Sequence, residues 1–188
     1  MRVLITRPEP DASRTARALE QMGHDGLIVP LLIIESDGKK TFGDISPQAL
    51  LITSANGLRA FAQKDERRDV PVYAVGSASA DEARRFGFID VHQANGDVAS
   101  LTSLVVNHAT PDAGPLLHVA GTVASRGLAE ELKAAGFNVE RRVAYNAQTV
   151  SDMPLELKEV LGRQDIENDV GILFFSARTA AHFCDLVQ

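Results

Sequence analysis

The 188 residues include 19 basic and 25 acidic side chains, a formal net charge of −6, which argues against a nucleic-acid partner, since such proteins present a concentrated basic face. The composition, 45% apolar and 23% charged, is that of an ordinary globular protein, with no run of about 18 apolar residues to span a bilayer and no basic leader ahead of an apolar segment. A single cysteine, Cys184, excludes an internal disulfide and fits a reducing compartment, so a cytoplasmic protein without a membrane partner is expected.

The first predicted strand covers 2–6 (RVLIT), followed by a helix over 10–22 and a strand over 27–34. A strand at 49–53 runs into a helix at 54–63, one at 71–75 (PVYAV) into a helix at 78–86, and one at 89–92 into a helix at 97–108. The remaining elements are strands at 115–120, 137–145 and 170–175 and helices at 124–135, 154–162 and 176–187. In the helix over 124–135, Leu128, Leu132 and Ala135 share a face and Gly136 ends it. Strand–helix alternation of this kind implies parallel sheets covered on both sides. The dense basic spots, RDVPV and EARRFG, read as solvated helix ends.

The chain repeats itself. LITSANGLRAF at 51–61 matches LFFSARTAAHF at 173–183, with Leu51, Ser54, Ala55 and Phe61 falling on Leu173, Ser176, Ala177 and Phe183 without a gap. Ala12-Ser13-Arg14 returns as Ala124-Ser125-Arg126, and the helices that carry them stop at Gly23 and Gly136. The common order points to a duplicated α/β unit. The first copy continues into further strand–helix pairs and the second stops at Gln188, so the sheet holding the last strand is expected to be short of strands, with apolar surface exposed near 172–187.

In open parallel sheets, ligands gather beyond the carboxyl ends of the strands, where helix N-termini present free amides to anions. Five such turns are small and polar, and they supply the candidate binding residues: Arg7 after the first strand, Thr53, Ser54 and Asn56, Gly76 and Ser77, Gly121 and Thr122, and Ser176 with Arg178. Ser54 and Ser176 are placed to cap their helices. Nucleotide signatures are missing, since AVGSASA is no GxGxxG and no GxxxxGK[ST] occurs. His24, His92, His108, His118 and His182 are scattered, so no metal is expected. His118 reads as a satisfied strand histidine, Tyr73 as buried, and Cys184 as a core residue beside Phe183 and Val187. Tyr145 ends a long strand just before NAQTVS; a packed strand-end tyrosine and a phenol overhanging a cleft both remain open.

Together VLITRPEPDASRTARAL, VPLLIIE, LLITSANGLRAFA, PVYAVGSASADEARRFGF, GDVASL, LLHVAG, LAEELKAAGFNVERRVAYNA and ILFFSARTAAHF resemble the uroporphyrinogen-III synthase family over nearly the whole chain. The resemblance implies two flavodoxin-like domains facing across a cleft and joined by two crossing segments, near 32–37 and 146–151. The first would be discontinuous, 1–35 with 149–188, and incomplete at its C-terminus; the second would span 36–148. It further implies a monomeric lyase acting on a small linear tetrapyrrole, hydroxymethylbilane, closing the macrocycle with loss of water and inversion of the last ring through a spiro intermediate, without cofactor or metal. Tyr145 matches the family tyrosine proposed to assist departure of the hydroxyl. A two-domain binding protein, or a regulatory partner that senses a tetrapyrrole without converting it, is the alternative.

Overall fold

The computed structural model describes residues 1–36, 42–123, 127–162 and 170–188. In chain order these form β1 (Arg2–Ile5), α1 (Asp11–Gln21), β2 (Asp25–Ile28), β3 (Leu32–Ser36), β4 (Ala49–Ile52), α2 (Ala55–Ala62), β5 (Val72–Ala74), α3 (Ser77–Arg85), β6 (Val91–Gln93) and α4 (Val98–His108). After a 3₁₀ turn at Pro111–Ala113 come β7 (Leu116–Gly121), α5 (Leu128–Ala134), β8 (Val139–Thr149), α6 (Leu155–Leu161), β9 (Val170–Leu173) and α7 (Ala177–Leu186). The strand expected over 27–34 is two strands, because Pro30 has no amide to donate to a ladder. On either side of it, Val29 and Leu31 donate to the carbonyls of Ile5 and Thr6. The start of the helix expected over 124–135, with the repeated Ala124-Ser125-Arg126, lies outside the described residues, as does the end of the crossing expected at 32–37.

Contacts divide the chain into two compact units, Met1–Ile34 with Ala147–Gln188, and Glu35–Asn146. The chain passes between them within β3 and near the end of β8. In the discontinuous unit the parallel order is β2-β1-β9, with Arg2 opposite both Asp25 and Val170. Leu4, Val29, Leu31 and Leu157 form its core, with Ile172, Phe183 and Leu186 against them. Phe174, Phe175 and Val187 are exposed. Cys184 is exposed as well, which corrects its expected place in the core: one position beyond Phe183, it is turned about 100° around α7 from the side chain that packs.

The continuous unit is built on parallel strands in the order β8-β7-β4-β5-β6, with β3 beside β8. Leu50, Leu51, Ile52, Leu116 and Leu117 are fully buried, as strands covered on both faces require. On one face Leu101 and Val105 of α4 and Leu128 and Leu132 of α5 pack on Ala49, Leu51, Tyr73 and Leu116. On the other, Gly57 brings α2 onto β7 so closely that a Cβ there would lie 2.5 Å from the Val119 carbonyl oxygen.

The basic residue of RDVPV, Arg68, and its neighbour Arg67 are not a solvated helix end. Arg67 donates to the carbonyls of Ile45 at 2.7 Å and Phe42 at 2.9 Å, and Arg68 to those of Ala62 and Phe86. Carbonyls left over at the ends of elements need donors, and these guanidiniums supply them. Hydrogen bonding from Arg67 also holds the Asp65 carboxyl below its ordinary pKa, against the opposing effect of burial.

Candidate functional site

Counted from β7, the continuous unit has the doubly wound order 2-1-3-4-5. From β7 the chain leaves through α5 to one face, and from β4 through α2 to the other. Between these two strands the connections diverge, which opens the crevice where such sheets take ligands. Thr53, Ser54 and Asn56 follow β4, while Gly121 and Thr122 end β7, so the sheet order brings these five expected residues to one point. Gly76 and Ser77 sit one strand further along, at the start of α3 after β5.

Each side chain at this point is held. Ser54 caps α2, its hydroxyl accepting from the Asn56 amide at 3.2 Å. The Asn56 carboxamide oxygen accepts from Arg59 Nη1 at 2.8 Å. Thr53 Oγ1 lies 3.2 Å from His118 Nε2. Thr122 donates from Oγ1 to Asn146 Oδ1 at 2.6 Å, and Arg141 donates to the carbonyls of Gly121 at 2.7 Å and Thr122 at 3.3 Å. Asn146 and Arg141 were not among the expected residues. Asn146 had a signal, its place directly after Tyr145, whereas Arg141 acts across three residues of strand and gives none.

Tyr145 reaches the same point through an irregularity. The pairing of β7 with β8 advances from Ala120 opposite Val143 to Gly121 opposite Tyr145, leaving Ala144 as a one-residue bulge. In an unbroken strand Val143 and Tyr145 would share a face; the bulge moves Tyr145 to the α2 side. A Cβ on Gly121 would meet the Tyr145 ring at 2.8 Å and its hydroxyl oxygen at 3.1 Å, and one on Gly57 would stand 3.9 Å from the ring. Two glycines thus make the slot in which the ring lies, 8% exposed. Among the described residues the Tyr145 hydroxyl has no hydrogen-bond partner. The ring is buried, but the hydroxyl is not one of the buried unpartnered polar atoms, so it reaches the surface of the site, where this donor is available to a ligand.

His118 stands on the opposite face, 2% exposed. Burial, and then the nearby Arg141 charge, push its pKa down to about 4. It is neutral at pH 7; Leu51 lies opposite it in the ladder, and its ring nitrogen is the side-chain hydrogen-bonding partner of Thr53. The unfolded chain binds this proton near pH 6.5 and the folded one only near 4, so unfolded protein carries more protons between those values. Stability from this group is therefore full above about pH 6.5 and lost as pH falls toward 4, by up to about 3 kcal/mol. Urea unfolding of wild type and His118→Gln at pH 7.5, 5.5 and 4 should show the downward slope in the wild type and a shallower one in the variant.

The discontinuous unit repeats the plan at the carboxyl ends of β1 and β9. Thr6 Oγ1 donates to the Leu173 carbonyl at 2.7 Å, joining the two strand ends. Arg7 pairs with Asp11 at 3.3 Å and lays its guanidinium 4.2 Å from the centre of the Phe175 ring. Ser176 caps α7, accepting from the Thr179 amide at 3.1 Å. Arg178 is exposed on the first turn of that helix. Among the described residues no three His, Cys, Asp or Glu side chains converge as metal ligands, and no helix is long and apolar enough to cross a membrane.

Residues 13–188 match the family described as uroporphyrinogen-III synthase HemD. Uroporphyrinogen-III synthetase from Helicobacter pylori superposes with a TM-score of 0.63 at 14% identity, covering 100% of this chain and 79% of that one. A mutant uroporphyrinogen III synthase from the extremely thermophilic bacterium Thermus thermophilus gives 0.61 at 16% identity, covering 98% and 76%. At these identities the likeness is one of fold. No curated protein matches the chain significantly.

Proposed function

Because the chain belongs to the uroporphyrinogen-III synthase family, whose role lies in tetrapyrrole biosynthesis, we propose that it is a lyase converting hydroxymethylbilane to uroporphyrinogen III. The observation that carries this reading is the unpartnered Tyr145 hydroxyl in its glycine-lined slot, beside the strand ends where a doubly wound sheet takes its ligand. In the reaction the electron-rich pyrrole expels the hydroxyl of its hydroxymethyl group. Tyr145 donates the proton that lets it leave as water, and a proton returns to the phenolate when the new ring regains aromaticity.

Ring inversion then becomes a matter of how the chain of pyrroles is held, which is orientation and not nucleophilic power. The small polar turns proposed for this holding are those of Thr53, Ser54, Asn56, Gly76, Ser77, Gly121 and Thr122 at the strand ends of the continuous unit; Arg7, Ser176 and Arg178 occupy the equivalent turns of the discontinuous unit. The substrate carries carboxylates, so helix N-termini and guanidiniums suit it. The reading has a monomer acting on a free small molecule in the cytoplasm, with no cofactor or metal.

Incubation with hydroxymethylbilane, followed by separation of the product isomers, tests the proposal. The inverted isomer should form faster than spontaneous closure and should dominate. Spontaneous-rate closure to the uninverted isomer would reject the enzyme reading, and tight binding without turnover would point to a binding or regulatory role.

A further inference from the structure

We infer that Arg59 and Glu82 form a buried positioning pair that sets the hydrogen-bonding polarity of Asn56, so that this wall of the site offers donors and selects a carboxylate. Arg59 is 8% exposed and Glu82 2%, unusual burial for charged residues unless they are paired. Arg59 Nε donates to Glu82 Oε1 at 2.5 Å across α2 and α3, and Glu82 Oε2 lies 3.4 Å from Arg85 Nη1. From the same guanidinium, Nη1 reaches back one turn to Asn56 Oδ1 at 2.8 Å.

A carboxamide is ambivalent, because its oxygen accepts, its nitrogen donates, and a half-turn exchanges them. A guanidinium has only donors. Arg59 therefore commits the Asn56 oxygen inward and leaves the NH₂ group for a ligand. Glu82 does two things at once. It fixes the plane of the guanidinium from which that bond is made, and it balances the Arg59 charge, so the ligand meets neutral donors and not a bare cation. Freed of the pair, Asn56 would turn its oxygen outward part of the time, toward a carboxylate that it repels. Arg59 and Glu82 act through Asn56 and touch no ligand. The inference deepens the proposed function and rests on it for the identity of the carboxylate.

A double-mutant cycle provides the test. Removing one member alone would take from the other the 2.5 Å partner of its buried charge and endanger the fold, so the pair is replaced together as Arg59→Met/Glu82→Leu, and Asn56→Ala is made alone and in combination with it. Two readouts are taken, the Kd for uroporphyrin III (the oxidised product, also a polycarboxylate) and KM with kcat for hydroxymethylbilane. Each change is expected to raise Kd and KM about tenfold with a smaller effect on kcat, and the combination should be no worse than Asn56→Ala alone, since interacting groups are non-additive. Unchanged binding in the folded pair variant, or effects that multiply, would overturn the inference. A Glu82→Asp variant, which keeps the charge and shortens the reach, should fall between wild type and the pair replacement if geometry is what matters. If the wild type binds uroporphyrin III without turning over hydroxymethylbilane, the enzyme reading fails and the binding cycle still decides on the pair.

Discussion

Tyr145→Phe is expected to lower kcat by about 10²–10⁴-fold, the range typical of a lost general acid, while the protein stays folded. The substitution keeps the ring that fills the slot between Gly57 and Gly121 and removes only the hydroxyl, which bonds to no described residue. No internal hydrogen bond is therefore lost. Stopped-flow or quenched assays on hydroxymethylbilane, paired with a urea unfolding curve, separate the two effects. A fall of only a few-fold, with the inverted isomer still dominant, would reduce the tyrosine to a packing role. Gly121→Ala gives an independent approach to the same group. The new Cβ would stand 2.8 Å from the ring and 3.1 Å from the hydroxyl oxygen, so the ring must swing. Activity should fall with the hydroxyl still present, showing that its place and not only its presence counts.

Gly57→Ala should have the larger effect on stability. Alanine is the better helix former by about 1 kcal/mol in a helix interior, and on that ground alone the change would stabilise. The Val119 carbonyl oxygen, however, would lie 2.5 Å from the new carbon, and both partners are backbone, one on a helix and one on a central strand. Neither can rotate away, so α2 must lift off the sheet by several tenths of an ångström. Overpacking of this kind costs about 1–3 kcal/mol, enough to outweigh propensity near the first turn of α2. A lower urea midpoint with an unchanged slope is the expected result; a rise would show that α2 slides freely.

The sequence made the strand ends readable because small polar clusters between apolar runs can be little else than turns. Ser54 and Ser176 announced themselves in the same way, since a serine ahead of an amphipathic stretch has a local task at the helix start. What stayed hidden depends on partners distant in the chain. That the Gly121 turn meets the Thr53 turn follows from β7 lying beside β4, a matter of sheet order. The bulge at Ala144 leaves no mark in VAYNA, yet it decides which face Tyr145 occupies. Arg59 reads as one more polar residue on a helix until Glu82 arrives from α3. Cys184 misled for a related reason, because an apolar neighbour in sequence is not a neighbour on a helix surface.

The side-by-side entry and exit of the continuous unit bear on the order in which the protein acquires its structure. β1 must find β9, pairing Arg2 with Val170 across most of the chain, a long-range contact of the sort that slows folding. The continuous unit needs no such partner and can close its own ladder from residues 35–146. Its entry strand β3 and its exit strand β8 are neighbours in one sheet, and just outside them the Val150 amide donates to the Leu31 carbonyl within the surrounding unit at 3.2 Å. The loop separating β1 from β9 is then shortened in effect to the few dozen residues outside the insertion, and each halving of a loop recovers about 0.6 kcal/mol of closure entropy. The inserted unit acts as a clasp for the one that surrounds it. A core lesion in the insertion should therefore delay the surrounding unit too, although the two share so little sequence neighbourhood.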